Sequence, residues 1–293
     1  MNDTLSAMPL LAPFIEFGFM RRALAGCLAL SLGATPVGVF LMLRRMSLAG
    51  DAMSHAILPG AAVGYLIAGL SLPAMTIGGL VAGLAVAVLS GGVARNSVIK
   101  EDASLATFYL ISLSAGVLII SLGGSSVDLL HVLFGGVLAL DDATLLLLAA
   151  FASVSVVALS LGLRLFVLEG CDPAFLARIS RLGPVAHYGF LVLLVLNLVG
   201  GFHALGPLMA VGIMILPAAA ARLWTCNIGP LLLIAVLIAI SGSFIGLLLS
   251  YYADLPAGPA IVLTLGGLYL LSLAVGSLGP LASRWRSGWH FER

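Results

Sequence analysis

The sequence predicts an all-α polytopic membrane protein, a bundle of eight or nine transmembrane helices forming a single domain over residues 1–293. Three observations carry that expectation. Hydrophobic residues make up 61% of the chain and charged residues 9%, whereas a soluble domain carries roughly 25% charged side chains. A globule with so few charges cannot cover itself with polar groups, so its outer surface faces lipid. Nine stretches approach the ~20 apolar residues that a helix needs to cross a bilayer. The basic residues, finally, fall in alternate loops, as the positive-inside rule requires.

The nine stretches lie near 17–43, 52–70, 73–92, 103–122, 143–165, 185–202, 205–224, 229–252 and 259–280. Residues 129–140 are apolar but too short to cross, and read as a re-entrant or interfacial helix. Arg44 and Arg45 follow the first span, and Arg95 and Lys100 the third. Arg164, Arg178 and Arg181 follow the fifth, Arg222 the seventh, and Arg284, Arg286 and Arg293 the last. These are eleven of the thirteen basic residues, and all share one side if the N-terminus is outside; only Arg21 and Arg22 oppose them. The loops after spans one, three, five and seven, with the C-terminus, are then cytoplasmic, while 123–142 and 251–258 face out. Losing one short span would give eight and move the N-terminus inside.

Other classes are excluded or weakened. Net charge is +1 and the only lysine is Lys100, so no basic run suits nucleic acid. Cys27, Cys171 and Cys226 are far apart, which supports neither a disulfide framework nor a thiolate zinc site. Leu24-Ala25-Gly26-Cys27 has the form of a lipoprotein cleavage site, but Arg21 and Arg22 interrupt the apolar stretch that such a signal needs. The longest polar segment, 164–184, is too short for a second domain. Gly60-xxx-Gly64, Gly79-xxx-Gly83 and Gly242-xxx-Gly246 are faces for close helix packing.

The polar residues inside the spans carry the functional signal. Asp51 and His55 are four apart and share one helical face. His55 is ten residues past Arg45, about 15 Å of continuous helix, which puts the pair between the inner third and the midplane. An ionisable pair at that depth costs several kcal/mol and usually marks a substrate path. Carboxylate plus imidazole suits Zn²⁺, Mn²⁺ or Fe²⁺. The plainer alternative is that Asp51 caps the helix and His55 makes one internal hydrogen bond. Pro59, Pro207 and Pro217 free the carbonyls of His55, His203 and Ile213 respectively, either to line a cavity or to kink a helix for packing. Asp128 and His131 form a metal-receiving mouth or, more simply, an interfacial helix start. His203 lines an outer gate or is an ordinary interfacial histidine. His187 and His290 are placed at helix ends.

Residues 44–60, Arg-Arg-Met-Ser-Leu-Ala-Gly-Asp-Ala-Met-Ser-His-Ala-Ile-Leu-Pro-Gly, resemble the signature of the bacterial ABC-3 family, the permeases of zinc and manganese ABC importers. Further similarities follow in family order: Val127-Asp128-Leu129-Leu130 with Leu133-Phe134-Gly135, then Gly212 to Pro217 running into Ala218 to Arg222, then Tyr252 to Pro259. The resemblance spans nearly the whole chain. It implies a type II-like ABC importer permease in the bacterial inner membrane, paired with a second copy of itself. Cytoplasmic ABC ATPase subunits and an extracytoplasmic metal-binding protein are the implied partners. The family's aspartate and histidine pair maps onto Asp51 and His55. Gly136 departs from relatives with an acidic or hydroxyl residue there, and His131 and His203 are additional candidate ligands. The segment 168–182 resembles the family's cytoplasmic coupling segment. Asp172-Pro173 reads as a helix start, and the short helix that follows is expected to expose Phe175 and Leu176 to an ATPase; its plainer reading is an interfacial helix on lipid.

The chain has no GxxxxGK[ST], so ATP hydrolysis falls to a partner, and no bound cofactor is expected. It also lacks HExxH, and Glu16, Glu101, Glu169 and Glu292 lie outside the span interiors, which argues against an intramembrane metalloprotease. The expected function is thus a non-catalytic permease for a divalent transition metal. Zinc is favoured because imidazole suits it, then manganese or iron. The alternative is an autonomous ion-coupled metal transporter with Asp51 and His55 as a proton and metal relay.

Overall fold

The structure, a computed structural model, describes residues 11–69, 71–122, 138 and 140–278. Asp128, His131, Gly136, most of the segment 129–140 and the C-terminal arginines lie outside the described residues.

A short helix α1 (Ala12–Glu16) leads into α2 (Gly18–Leu43). The second crossing is broken into α3 (Ala49–Ala56) and α4 (Leu58–Ala68). Then come α5 (Leu72–Asn96), α6 (Glu101–Leu122), α7 (Asp142–Cys171), the short α8 (Pro173–Ile179), α9 (Gly183–Leu205), α10 (Pro207–Arg222), α11 (Ile228–Ala253) and α12 (Ala257–Val275). Seven of these helices are long and apolar enough to span a membrane. With the broken α3–α4 and the shorter α10, each of the nine expected stretches is mainly helical over its described residues. The interior is built on α2 and α9, which are buried on most sides, whereas α6, α7 and α12 keep broad apolar faces outward. Leu146, Val157 and Leu161 on α7, and Leu263, Leu270 and Leu271 on α12, are exposed in this way. Such all-round apolar helices are stable only against lipid or protein.

The small-residue faces are used as expected. Any side chain at Gly60 would collide with the Gly78 carbonyl, and one at Gly78 with the Gly60 carbonyl, so α4 and α5 touch backbone to backbone. Gly79 and Gly83 receive Ile57 and Val195, and Gly242 and Gly246 receive Leu265 and Ile261.

The prolines divide by role. Pro217 stays inside α10, and the Ile213 carbonyl that it frees accepts a hydrogen bond from the buried Thr35 hydroxyl on α2 at 2.9 Å. The freed carbonyl therefore serves packing of α10 on α2. Pro207 does not break a span at all: α9 ends at Leu205, Gly206 turns with φ 85°, and Pro207 opens α10. A missing N–H is harmless at a first helical position. At Pro59 the ladder opens between α3 and α4, and the carbonyl of Ala56 accepts from the Ser112 hydroxyl of α6 at 3.0 Å. Thr35→Val keeps the shape but orphans the Ile213 carbonyl; it should cost about 1 kcal/mol of stability, read as a lower melting temperature in detergent.

Helix ends gather in groups. Arg44, Arg95, Glu101, Glu169 and His187 line one cavity, so the ends of α2, α5 and α7 meet the starts of α6 and α9. Leu278 N–H donates to the Leu223 carbonyl at 2.9 Å, which brings the ends of α10 and α12 together. At the starts of α2 and α7, Arg22 pairs with Asp142 at 3.4 Å, and the ring of Phe17 is 5.8 Å from that of Tyr251 at the end of α11. Cys171, at the end of α7, and Cys226, in the loop between α10 and α11, are exposed where the charge bias puts the inside, and Cys27 is buried. A membrane-impermeant maleimide on intact cells should therefore leave the native chain unlabelled but react once Leu255→Cys is introduced. Labelling of the native chain alone would invert the orientation.

Candidate metal site

The residues between α2 and α3 form a tight turn in which Arg45 adopts φ 59° and the Met46 N–H reaches back to the Leu41 carbonyl at 2.9 Å. The depth expected from a continuous helix after Arg45 is corrected accordingly. Helical rise begins at Ala49, so His55 is about 9 Å along α3 rather than about 15 Å.

Asp51 sits in the first turn of α3, where a negative charge suits the helix dipole. Its carboxylate accepts no capping hydrogen bond among the described residues. Its one partner is His55, with Nε2 and Oδ1 3.8 Å apart, too long for a hydrogen bond. Side-chain exposure is 66% for Asp51 and 33% for His55, so Asp51 is open and His55 partly open on one face of α3. Asp51 lines a cavity of about 240 Å³ between α3 and α6, with Leu48, Asp102 and Tyr109 among its walls. The His55 ring lies 6.4 Å from that of Tyr109. Two metal-competent side chains thus share one open face, and among the described residues no group of three or more His, Cys, Asp or Glu is gathered to hold a metal ion. Sequence reasoning missed Asp102 and Tyr109, because nothing in the α6 pattern marks which face meets α3.

His203 is not part of this pair. It is in the last turn of α9, sixteen residues and about 24 Å along the helix from His187 at the opposite end. Its Nδ1–H donates to the Val199 carbonyl at 2.9 Å, which leaves Nε2 as the bare nitrogen, buried and without a partner among the described residues.

The helix α8 begins at Asp172-Pro173 as the sequence indicates, with the Asp172 carboxylate accepting from the Phe175 N–H at 2.9 Å. The expected pairing of Phe175 with Leu176 on its exposed face is corrected. Leu176 is 3% exposed and packs inward, while Phe175 and Ile179, one turn apart, are exposed with Leu182 close behind in sequence. Ile179 was missed because seven residues are too few to show a helical period.

The sequence profile of the ABC 3 transport family matches residues 16–276. The "Manganese import system permease protein ScaB" of Streptococcus parasanguinis is 32% identical over 260 residues, covering 89% of this chain and 91% of that protein. The "Probable iron transport system membrane protein" of Haemophilus influenzae is 32% identical over 265 residues, covering 90% of this chain and 96% of that one. Among solved structures, PsaBC from Streptococcus pneumoniae in complex with Fab aligns at a TM-score of 0.81 with 29% identity, over 95% of this chain and 98% of the other.

Proposed function

Because the chain belongs to the ABC 3 transport family, and is a multi-pass permease subunit of a bacterial metal-importing ABC transporter in the inner membrane, we propose that it pairs with a second permease copy and carries manganese or iron on Asp51 and His55, driven by a separate ATPase. The observation that carries this reading is the Asp51–His55 pair itself: two candidate ligands one helical turn apart on an open face of α3, in a segment that resembles the family's signature. Two ligands are too few to replace a transition metal's hydration shell. A two-fold related copy supplies two more from the same positions and covers side chains that a lone chain leaves bare.

Ligand type alone favours zinc. The names of the relatives concern manganese and iron, and the open setting of Asp51 leaves room for water oxygens beside the carboxylates. Oxygen-rich sets suit manganese and ferrous iron better than the closed tetrahedral sites typical of zinc. The order proposed is therefore manganese, iron, zinc. His203, with its bare Nε2 at the far end of α9, is assigned to the outer end of the path. The coupling segment is 168–182, with Phe175 and Ile179 as the docking face for the ATPase; an extracytoplasmic metal-binding protein delivers the ion from the other side.

The test is reconstitution in liposomes with a candidate ABC ATPase from the same organism. Uptake of Mn²⁺ should require ATP and both proteins. Uptake by the permease alone would sink the reading.

A further inference from the structure

The ends of six helices, α2 and α5 to α9, surround a cavity of about 390 Å³ on the side that the charge bias puts in the cytoplasm, away from Asp51 and His55. Its charged lining is Arg44, Arg95, Lys100, Glu101 and Glu169, with His187 beside them. These groups face each other without hydrogen-bonding. Glu169 Oε1 is 3.9 Å from both Arg95 Nη1 and His187 Nδ1, and Glu101 Oε1 is 3.3 Å from His187 Nε2. Glu101 Oε1, His187 Nε2, and Arg44 Nε and Nη2 are all buried without a hydrogen-bond partner among the described residues. The Arg44 guanidinium instead rests 4.1 Å above the Phe190 ring.

Buried donors and acceptors left unmatched are costly, on the order of 1–3 kcal/mol for each group and more when charged. A cluster holding both kinds across an open space would be stabilised by a rearrangement in which they pair. A divalent cation does not fit the cavity, since three cationic side chains already line it.

Position in the chain says what that rearrangement would move. Glu169 is in the last turn of α7, three residues before Asp172, which caps α8, and Pro173 of α8 forms part of the cavity wall. Arg44 caps the end of α2, seven residues before Asp51. One cluster therefore touches the start of α8 through Pro173 and, through Arg44, the turn that leads from α2 into the helix carrying Asp51 and His55.

We propose that Arg44 is the positioning residue that transmits motion of α8 to α3, pairing with Glu169 when the cavity closes and returning to the Phe190 face when it opens. Arginine suits this task because its flat guanidinium can either stack on an aromatic ring or fork onto a carboxylate. The inference rests on the reading that an ATPase docks on α8.

The experiment measures Mn²⁺ uptake and ATP hydrolysis together in liposomes holding the complete complex. Arg44→Gln and Glu169→Gln should each lower Mn²⁺ moved per ATP by about tenfold, with hydrolysis changed no more than about twofold, as expected for a broken coupling element. The exchange Arg44→Glu with Glu169→Arg should recover part of the ratio that either glutamine variant loses. Should a glutamine variant fail to assemble, Arg44→Lys with Glu169→Asp takes its place: the charges persist but the fork and reach do not, and the ratio should still fall. An unchanged ratio in the assembled variants, or uptake and hydrolysis falling in parallel with no recovery on exchange, overturns the inference alone. No ATP-driven uptake by the unmodified complex removes the proposed function and this inference with it.

Discussion

Asp51→Asn should abolish Mn²⁺ uptake while leaving the complex assembled, and His55→Ala should do the same. Asp51 is a good position for a clean test because its side chain is 66% exposed and makes no hydrogen bond within the described fold. Asparagine keeps its shape, so loss of uptake reports loss of charge. In the proposed two-fold site the substitution removes two negative charges from beside a dication. Stripping the partner from a desolvated charge costs about 3 kcal/mol or more, equivalent to at least a hundredfold in binding. His55→Ala removes two nitrogen ligands in the same way, and the site cannot make up the loss from Tyr109, whose ring centroid is 6.4 Å from that of His55. ATPase co-purification should be unaffected, since neither residue is near α8 in the chain. The exchange Asp51→His with His55→Asp preserves the ligand set at altered depths and should retain partial uptake. Full uptake by Asp51→Ala with His55→Ala would leave the pair as an ordinary polar feature of α3.

The crossings were legible because a span is written locally. About twenty apolar residues in a row have one meaning, and the arginines between them fix direction. The boundary of α7 shows where local reading stops. Arg164 made a natural end for a span at 165, yet the helix continues to Cys171 because Phe166 packs against Phe40 and Phe190, at 6.2 Å and 6.5 Å between ring centroids. The prolines show the same limit. A proline announces a free carbonyl, but whether that oxygen lines a path or meets Thr35 depends on a helix more than a hundred residues away. The Arg44 cluster was the least legible feature of all. Its members read singly as loop charges and helix ends, and only the packing of α2, α5, α6, α7 and α9 brings them to one place.

Phe175→Asp should fold, insert and lose its ATPase. Phe175 is 48% exposed and Ile179 67% exposed on a helix that the orientation puts in the cytoplasm, so neither contributes to the interior of the chain. Two apolar side chains one turn apart on a short, well-capped helix make a compact anchor for a groove. Truncating a central aromatic anchor typically costs 2 kcal/mol or more in binding, and a buried, unpaired carboxylate in its place adds a desolvation penalty. With one such helix per copy in a permease pair the losses combine, and the expected result is no ATPase retained on an affinity column at micromolar concentration. Leu176→Asp is the informative contrast. Leu176 is 3% exposed, so a carboxylate there should unsettle the packing of α8 itself and reduce the yield of folded permease. If α8 instead lay on lipid, Phe175→Asp would weaken its hold on the bilayer surface but leave ATPase retention intact. The two outcomes separate a docking helix from an interfacial one in a single pull-down.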